Sequence, residues 1–297
     1  QGSTTAAITE KSITISGITA DNKVYNRLTD VNVNVSGAVG WIAGDDVTVA
    51  TTGVFTDKNV GTGKTVNLSS SYGGADKDNY TITNQSTTTA NITAKPITIS
   101  GLTADDKIYN SLTDVIVNVS GAVGWITGDD VTVTTTGVFT DKNVAAGKTV
   151  NLSSSYGGVD KDNYAITDQA TTSANITAKP ITVSGIAANN KTYDRAIIAG
   201  IDVSGAVGWI VGDDVTVATT GLFSDKNVGS GKTVTLTSSY GGVDKNNYTI
   251  TDQGSTTAAI TEKSITISGI TASNKIYDQT TVVGVDSSGA SGWITGD

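Results

Sequence analysis

Gly-Trp-Ile-Ala-Gly-Asp-Asp-Val-Thr-Val, residues 40–49, is the stretch on which the organisation of the chain depends, because it returns at a fixed interval. Its tryptophan recurs as Trp41, Trp125, Trp209 and Trp293, so successive copies lie 84 residues apart with no insertion or deletion. A period of this length exceeds that of most solenoid repeats and is about the size of one small domain. The spacing therefore predicts a row of small domains.

Whole units of this period run over 11–94, 95–178 and 179–262, and a shorter, truncated copy covers 263–297. Residues 1–20 are identical to 253–272, so we expect 1–10 to be the last strand of a preceding repeat and the chain to be a window on a longer array. The joins between units are short, and Pro96 and Pro180 restrict the backbone there. Short joins without a Gly/Ser tract predict an extended, semi-rigid rod.

The composition favours strands over helices. The chain has 34 Gly and 2 Pro and is rich in Thr, Val, Ile and Asn. Alternation of apolar and polar residues predicts strands in the first unit at Ser12–Ser16, Val31–Val35, Asp46–Thr51, Lys64–Ser70, Tyr80–Thr83 and Thr87–Thr93. Gly61–Thr65 resembles the end of a phosphate-binding loop but lacks its first glycine, so we interpret it as a hairpin turn. Short strands at this spacing predict an all-β chain of small antiparallel, immunoglobulin-like β-sandwiches.

Several functions are disfavoured by composition. The chain contains no Cys, His or Met, which removes disulfides, thiol and imidazole catalysis and the commonest zinc ligands. Only carboxylates are left for catalysis, and no spacing assembles them into an active site, so we do not expect an enzyme. A formal charge of −9 disfavours nucleic acid and anionic membranes as partners, and no apolar run is long enough to insert into a bilayer.

Four blocks in fixed order resemble the YDG repeat domain. They are Ala-Asp-Asp-Lys-Ile-Tyr-Asn at 104–110, Gly-Asp-Asp-Val at 128–131, Asp-Lys-Asn-Val-Gly-Thr-Gly-Lys-Thr-Val at 57–66 and Gly-Ala-Asp-Lys-Asp-Asn-Tyr at 74–80. The resemblance covers each whole unit. The sequence departs from the family's Tyr-Asp-Gly at its third position, which holds Arg27, Ser111, Arg195 and Gln279. Without glycine, this position is not expected to need a positive φ.

The resemblance implies a place in large secreted bacterial surface proteins of the filamentous-haemagglutinin and adhesin type, with roles in cell adhesion and biofilms. We therefore expect a non-catalytic stalk segment, secreted or on the bacterial cell surface, that projects a distal binding region. Its partners would be neighbouring repeats of the same chain, and beyond them host or matrix glycans or other adhesin chains.

The four tryptophans are open to two interpretations. Each would fill the core of its repeat, because a unit has only five aromatic residues and a small sandwich needs most of them inside. Alternatively, an exposed Trp41, Trp125, Trp209 or Trp293 would stack on a sugar ring, and the array would bind glycans multivalently through its Trp-Gly-Asp-Asp loops. Exposure of the indole distinguishes the two.

Pairs of aspartates suggest calcium as the one candidate cofactor, because hard cations prefer carboxylate oxygens. The candidate ligands are Asp45, Asp46, Asp76, Asp78, Asp129, Asp130, Asp160, Asp162, Asp213 and Asp214. Neighbouring aspartates in a strand point to opposite faces, so only a turn would bring them together. A third class of function is an extracellular matrix or filament subunit whose chains join by strand addition at open sheet edges.

Overall fold

The computed structural model describes residues 2–297, and these residues are dominated by β-strands. Their helical content is confined to single 3₁₀ turns at Lys77–Asn79, Lys161–Asn163 and Lys245–Asn247. Within the same range, no helix has the length and hydrophobicity needed to cross a membrane. The prediction of an all-β chain is confirmed.

The strands recur with the sequence period. The first repeat contains β1 (Lys11–Thr14), β2 (Thr19–Ala20), β3 (Lys23–Val24), β4 (Asp30–Val31), β5 (Val33–Asn34), β6 (Thr48–Phe55), β7 (Gly61–Gly73), β8 (Tyr80–Thr83) and β9 (Thr87–Thr93). The second contains β10 (Lys95–Thr98), β11 (Thr103–Ala104), β12 (Lys107–Ile108), β13 (Asp114–Val115), β14 (Val117–Asn118), β15 (Thr132–Phe139), β16 (Ala145–Gly157), β17 (Tyr164–Thr167) and β18 (Thr171–Thr177). The third contains β19 (Lys179–Thr182), β20 (Ala187–Ala188), β21 (Lys191–Thr192), β22 (Ile198–Ala199), β23 (Ile201–Asp202), β24 (Thr216–Phe223), β25 (Gly229–Gly241), β26 (Tyr248–Thr251) and β27 (Ser255–Thr261), and β28 (Thr271–Ala272) and β29 (Val285–Asp286) follow.

Each repeat combines a larger sheet with two small ones. In the first repeat the larger sheet has five strands in the order β3-β9-β7-β6-β4, and β1-β8 and β2-β5 form two-stranded sheets. The pairs β1-β8 and β3-β9 are parallel, and the others are antiparallel. The prediction of purely antiparallel sheets is therefore wrong. Alternation within single strands predicts burial of one face but gives no information about the direction of a distant partner.

The long hairpin β6-β7 forms the centre of the five-stranded sheet. β7 is longer than the sequence pattern predicts, because it continues through Gly61-Thr62-Gly63 instead of turning there. A register shift between Gly61 and Lys64 absorbs these residues, and Gly63 has φ +60°. The predicted hairpin turn at Gly61–Thr65 is therefore a β-bulge, in which glycine adopts the backbone conformation that the extra residues require.

The chain forms two compact units. The described residues of the first are 2–105, 114–140 and 149–174, and those of the second are 106–113, 141–148 and 175–297. In the first unit a buried hydrophobic cluster joins Tyr25, Phe55, Val66, Ala90 and Ile92 of the first repeat to Ile97, Ile99, Leu102, Val131 and Tyr164 of the second. A single residue, Ala94, separates β9 from β10. The apolar core therefore runs from one repeat into the next.

The predicted closing strand at 1–10 does not form in the described part, residues 2–10, which enter no ladder; Gln1 lies outside the described residues. Ile8 is 100% exposed, whereas Ile260, which occupies the same place in an identical sequence, is 1% exposed in β27. The difference arises because β27 pairs with β25 and β21. In residues 263–297, Trp293 is 49% exposed.

Two glycines allow a close approach of backbone segments after β1. Gly17 has φ +84°, and a Cβ at this position would lie 2.0 Å from the carbonyl oxygen of Gly37. The neighbouring bridge between Ser16 and Val39 holds the two segments together. Only glycine fits this crossing, because the backbone conformation and the available space both exclude a side chain.

Candidate functional site: the polar joint between repeats

The most developed cluster of polar side chains lies where one repeat meets the next. We call it the first joint and define it by Tyr25, Arg27, Lys58 and Asn59 of the first repeat and Asp129, Asp160, Asn163 and Tyr164 of the second. Tyr25 and Arg27 follow β3, and Lys58 and Asn59 lie in the turn between β6 and β7. Their partners come from the turn before β15 and from the 3₁₀ turn that leads into β17. Loops at one end of a repeat thus meet loops at the facing end of its successor.

The third residue of the Tyr-x-x motif adopts a left-handed backbone conformation in every copy. Its φ is 68° at Arg27, 67° at Ser111, 71° at Arg195 and 65° at Gln279. The expectation that this position does not need a positive φ is therefore wrong. The conformation costs a non-glycine residue about 1 kcal/mol or more, and such residues persist where the surrounding structure fixes them. At Arg27, Ser111 and Arg195 the side chain supplies contacts that glycine cannot make.

The Asp129 carboxylate is the centre of the first joint, and its side chain is 0% exposed. The hydroxyl of Tyr25 donates to Asp129 Oδ2 over 2.9 Å, and the hydroxyl of Tyr164 donates to the same oxygen. The two rings meet edge to face with centroids 5.5 Å apart. A tyrosine from each repeat therefore holds one carboxylate and packs against the other tyrosine.

Two cations neutralise this buried carboxylate. Arg27 Nε lies 2.7 Å from Asp129 Oδ1, and the guanidinium also donates to the carbonyl oxygens of Thr127 and Gly128 over 2.7 and 3.1 Å. Lys58 Nζ lies 3.6 Å from Asp129 Oδ1 and 2.7 Å from Asp160 Oδ1. Since burying an unpaired carboxylate is strongly unfavourable, these contacts make the two repeats dependent on each other.

An amide contact completes the first joint. The backbone N–H of Val60 donates to Asn163 Oδ1 over 2.9 Å, and Asn163 Nδ2 donates to Asn59 Oδ1 over 3.2 Å. Asn163 is 3% exposed. The buried amide therefore joins the two repeats by both its donor and its acceptor.

The second joint repeats this arrangement with one change. Tyr109 donates to Asp213 Oδ2 over 2.7 Å, Tyr248 donates to the same oxygen, and Val144 N–H donates to Asn247 Oδ1 over 2.9 Å. At the third position Ser111 donates to Asp213 Oδ1 over 2.7 Å. The lysine is closer to the carboxylate than in the first joint, because Lys142 Nζ lies 3.0 Å from Asp213 and 2.9 Å from Asp244.

A third joint uses arginine again. Tyr193 donates to Asp297 Oδ1 over 2.7 Å, and Arg195 Nε lies 3.0 Å from the same oxygen. Arg195 also donates to the carbonyl oxygen of Thr295. The pairing of a Tyr-x-x motif with the first aspartate of the following Gly-Asp-Asp block is thus common to three joints.

The hydrogen bonds of the joints change the acidity of their members. Burial of Asp213 opposes its charge, but donors from Tyr248, Ser111, Tyr109 and Lys142 outweigh this and hold its pKa at about 2. The pKa of Asp160 is lowered by the hydrogen bond from Lys58, and the pKa of Lys58 is raised by the same bond. Burial and the hydrogen bond to Asp129 raise the pKa of Tyr164 to about 12. Near neutral pH, Asp213 and Asp160 are therefore ionised and Tyr164 is neutral.

The second joint should weaken in acid. The pKa of Asp213 is lower in the folded protein than its ordinary value of 3.8, so its contribution is complete above about pH 4 and is lost as pH falls toward about 2. We expect a loss of about 2 kcal/mol from this group, measured by urea unfolding between pH 5 and pH 2. The variant Asp213→Asn should lack this component. An equal pH dependence in the variant and the parent protein would contradict the assignment.

The structure places three of the tryptophans against the hydrophobic core. Trp41, Trp125 and Trp209 are partly buried, and each packs against the buried cluster of its own part of the chain. Trp293 is the exposed exception. The packing favours the structural interpretation of Trp41, Trp125 and Trp209.

The aspartates that the sequence suggested as calcium ligands have protein partners. Asp45 accepts from the Tyr80 hydroxyl, and Asp76 accepts from the Asp46 N–H over 2.8 Å. Four more accept from lysines or backbone N–H groups: Asp46 from Ala75, Asp130 from Val159, Asp214 from Val243 and Asp78 from Lys77. Asp162 pairs with Lys161, and Asp129, Asp160 and Asp213 lie in the joints. Within residues 2–297, no group of three or more acidic side chains is placed where it could hold a metal ion.

The sequence reasoning missed the tyrosines, the third-position residues and Lys58 as members of a common site. Tyr25 and Asp129 lie 104 residues apart, which is one period of 84 plus a further 20. A search for pairs of polar residues separated by more than one period would have found this signal. The sequence of a single repeat does not reveal these pairs, because each joint combines residues from two repeats.

Comparisons with known proteins agree with the period. The family model described as the YDG domain matches residues 9–90, 93–173 and 177–258, and these intervals begin 84 residues apart. A search of curated proteins gave no match. A crystal structure of Drosophila N-cadherin EC1-3 aligns with 82% of this chain and 98% of its own, at 7% identity and a TM-score of 0.22. A TM-score this low carries no inference about the fold of this chain.

Proposed function

The chain belongs to the YDG domain family, and from this premise we propose that it is a non-catalytic stalk segment of a secreted or surface-anchored bacterial adhesin. In this proposal the repeats form an extended rod of small immunoglobulin-like domains, which holds a distal binding region away from the cell. The observation that supports it best is the first joint, in which a fully buried carboxylate from one repeat is neutralised by cations of its neighbour. Such a contact resists a small bend, because a small displacement separates the cations from Asp129 while the carboxylate is still buried.

The covalent and apolar parts of the joint support the same function. A single residue joins β9 to β10, so the backbone offers little freedom between the first two repeats. The hydrophobic cluster on both sides of this residue is shared. A stalk must hold its distal end at a fixed distance from the cell. Repeats that pack on each other serve this function, because domains with small interfaces move relative to each other.

The alternative functions find less support. Trp125, which a glycan site would use, packs against the core, and the following Asp129 is enclosed in the first joint. Strand addition needs long open edges, whereas the edge strands β3 and β4 of the five-stranded sheet each have two residues. The geometry therefore fits a spacer better than a lectin or a filament subunit.

Rigidity of the first joint is the property to test. Because the chain has no cysteine, spin labels can be attached to cysteines introduced at exposed Ser69 and Ser153, one in each repeat. We expect pulsed electron paramagnetic resonance to give a distance distribution as narrow as that of a control pair on β7, Thr62 and Ser71. The double variant Arg27→Ala, Lys58→Ala should broaden the distribution between repeats and leave the control unchanged. A broad distribution in the parent protein would refute a stiff stalk.

Location is tested separately. Antibodies raised against the repeats should label intact cells of the source organism, and protease added outside those cells should remove the signal. Labelling that appears only after the cells are broken would overturn the surface assignment and would leave the rigidity result standing.

A further inference from the structure

The three joints differ in the space beside one glycine. A Cβ on Gly128 would lie 2.8 Å from an Arg27 Nη atom, and a Cβ on Gly296 would meet the guanidinium of Arg195. At Gly212, the same place in the second joint, no atom of residues 2–297 outside its immediate chain neighbours lies within 4 Å of a Cβ. The second joint therefore leaves open the surface that an arginine side chain covers in the other two.

The turn that forms this surface has the same conformation in both kinds of joint. Gly212 has φ +99° and Gly128 has φ +92°. Each turn is closed by a backbone hydrogen bond of 3.1 Å, from Asp213 to Ile210 and from Asp129 to Ile126. The two carbonyl groups that precede the aspartate are therefore presented in the same way.

These carbonyl groups are the acceptors that arginine uses elsewhere in the chain. Arg27 donates to Thr127 and Gly128, and the matching oxygens of the second joint belong to Val211 and Gly212. Ser111, at the position of Arg27, donates to the Asp213 carboxylate and is too short to repeat the contacts that Arg27 makes with these carbonyl oxygens. The Val211 side chain is 99% exposed, so the surface is accessible.

We propose that the second joint is a binding site for a guanidinium group supplied from outside the chain, such as an arginine side chain of a partner protein. The carbonyl oxygens of Val211 and Gly212 accept its planar N–H donors, and the negative charge of Asp213 lies next to them. The only two arginines of this chain, Arg27 and Arg195, already occupy joints, so the ligand comes from elsewhere.

The geometry selects arginine over lysine. A guanidinium donates two N–H groups in one plane, as Arg27 does to adjacent carbonyl oxygens, whereas an ammonium is a compact point charge. Lys142 already neutralises part of the charge of Asp213 at 3.0 Å. A second ammonium therefore gains less there than a guanidinium that uses the carbonyl oxygens.

The test is a titration of the whole chain with acetyl-arginine methylamide, followed by amide NMR signals. Gly212 and Asp213 should shift and saturate, whereas Gly128, whose turn is filled by Arg27, should not. Acetyl-lysine methylamide should bind at least about tenfold more weakly. No side chain of residues 2–297 covers the turn at Gly44 either, so this turn could also bind the ligand. The amide signals of Gly44, Gly128 and Gly212 are therefore followed separately. Equal binding of the two ligands, or no response at Gly212, would overturn the site.

The variant Ser111→Arg provides the matched control. Arginine already occurs at this position in the first and third repeats with φ of 68° and 71°, so the fold accepts it. The new side chain should cover Gly212, raise the melting temperature of the second joint and lower its affinity for acetyl-arginine methylamide at least about tenfold. Unchanged binding by this variant would show that the ligand uses another surface.

Discussion

Replacing Asp129 with alanine should lower the free energy of unfolding of the first joint by about 3–5 kcal/mol. The substitution leaves Arg27 without its ion pair, leaves the hydroxyls of Tyr25 and Tyr164 without their shared acceptor, and opens a cavity between the repeats. Most of the loss comes from the two buried tyrosine hydroxyls, because a buried donor left without an acceptor costs about 1–3 kcal/mol. Arg27, whose side chain is 38% exposed, is partly rehydrated and adds less. The measurement is urea unfolding combined with hydrogen exchange of amides in β17 and β9.

The equivalent substitution in the first repeat is the matched control. Asp45 accepts from the Tyr80 hydroxyl, as Asp129 accepts from Tyr164, but Asp45 forms no ion pair within residues 2–297. Asp45→Ala should therefore cost about 1 kcal/mol, the value of an ordinary hydrogen bond. Equal losses in the two variants would show that the contacts across the joint contribute little.

Replacing Gly17 with alanine should cost about 3 kcal/mol or more. Two effects add: the residue has φ +84°, and its Cβ would lie 2.0 Å from the backbone oxygen of Gly37. Backbone cannot move aside as the end of a long side chain can. To relieve this collision, the backbone segments around Gly17 and Gly37 would have to move apart, which would weaken the bridge between Ser16 and Val39. Thermal unfolding and hydrogen exchange at Val39 measure the effect.

Gly63→Ala separates strain from collision. Gly63 also has a positive φ, +60°, but a Cβ there meets no atom of the described chain within 4 Å outside its immediate neighbours. Only backbone strain is left, so the expected cost is about 1 kcal/mol. If both variants lost the same stability, the crossing at Gly37 would have no special role.

Local patterns predicted strands well where one face is buried. The predicted boundaries of β8 (Tyr80–Thr83) and β9 (Thr87–Thr93) agree with the structure. In both strands apolar side chains alternate with polar ones, and this period of two determines which face enters the core. The all-β class and the 84-residue repeat were also predictable, because both follow from the identity of residues and their spacing along the sequence.

Features that depend on distant partners were not predictable. Ile8 and Ile260 share an identical sequence context, yet one is fully exposed and the other is buried in a strand. Pairing decides between them, and pairing is not local. The same reasoning explains why the parallel pairs β1-β8 and β3-β9 were missed.

The joints were not predicted because each one is formed by residues from two different repeats. Within one unit Arg27 resembles a solvated surface residue, and a left-handed conformation there looks unfavourable. Arg27 forms an ion pair with Asp129, which lies more than one period away in the sequence. Two adjacent aspartates suggested a calcium site because carboxylates bind cations. In the first joint, the cations that pair with Asp129 are the side chains of Arg27 and Lys58.

The fixed spacing of 104 residues between Tyr25 and Asp129 also bears on how such a chain changes in length. Every joint is formed by a motif at one position of a copy and a motif at another position of its successor. Unequal recombination that adds or removes whole periods recreates a complete joint at the new junction, whereas a change by any other length separates the two motifs. Length variation in whole steps of 84 residues is therefore structurally neutral, and the third-position residue carried by each copy decides which kind of joint the new boundary receives.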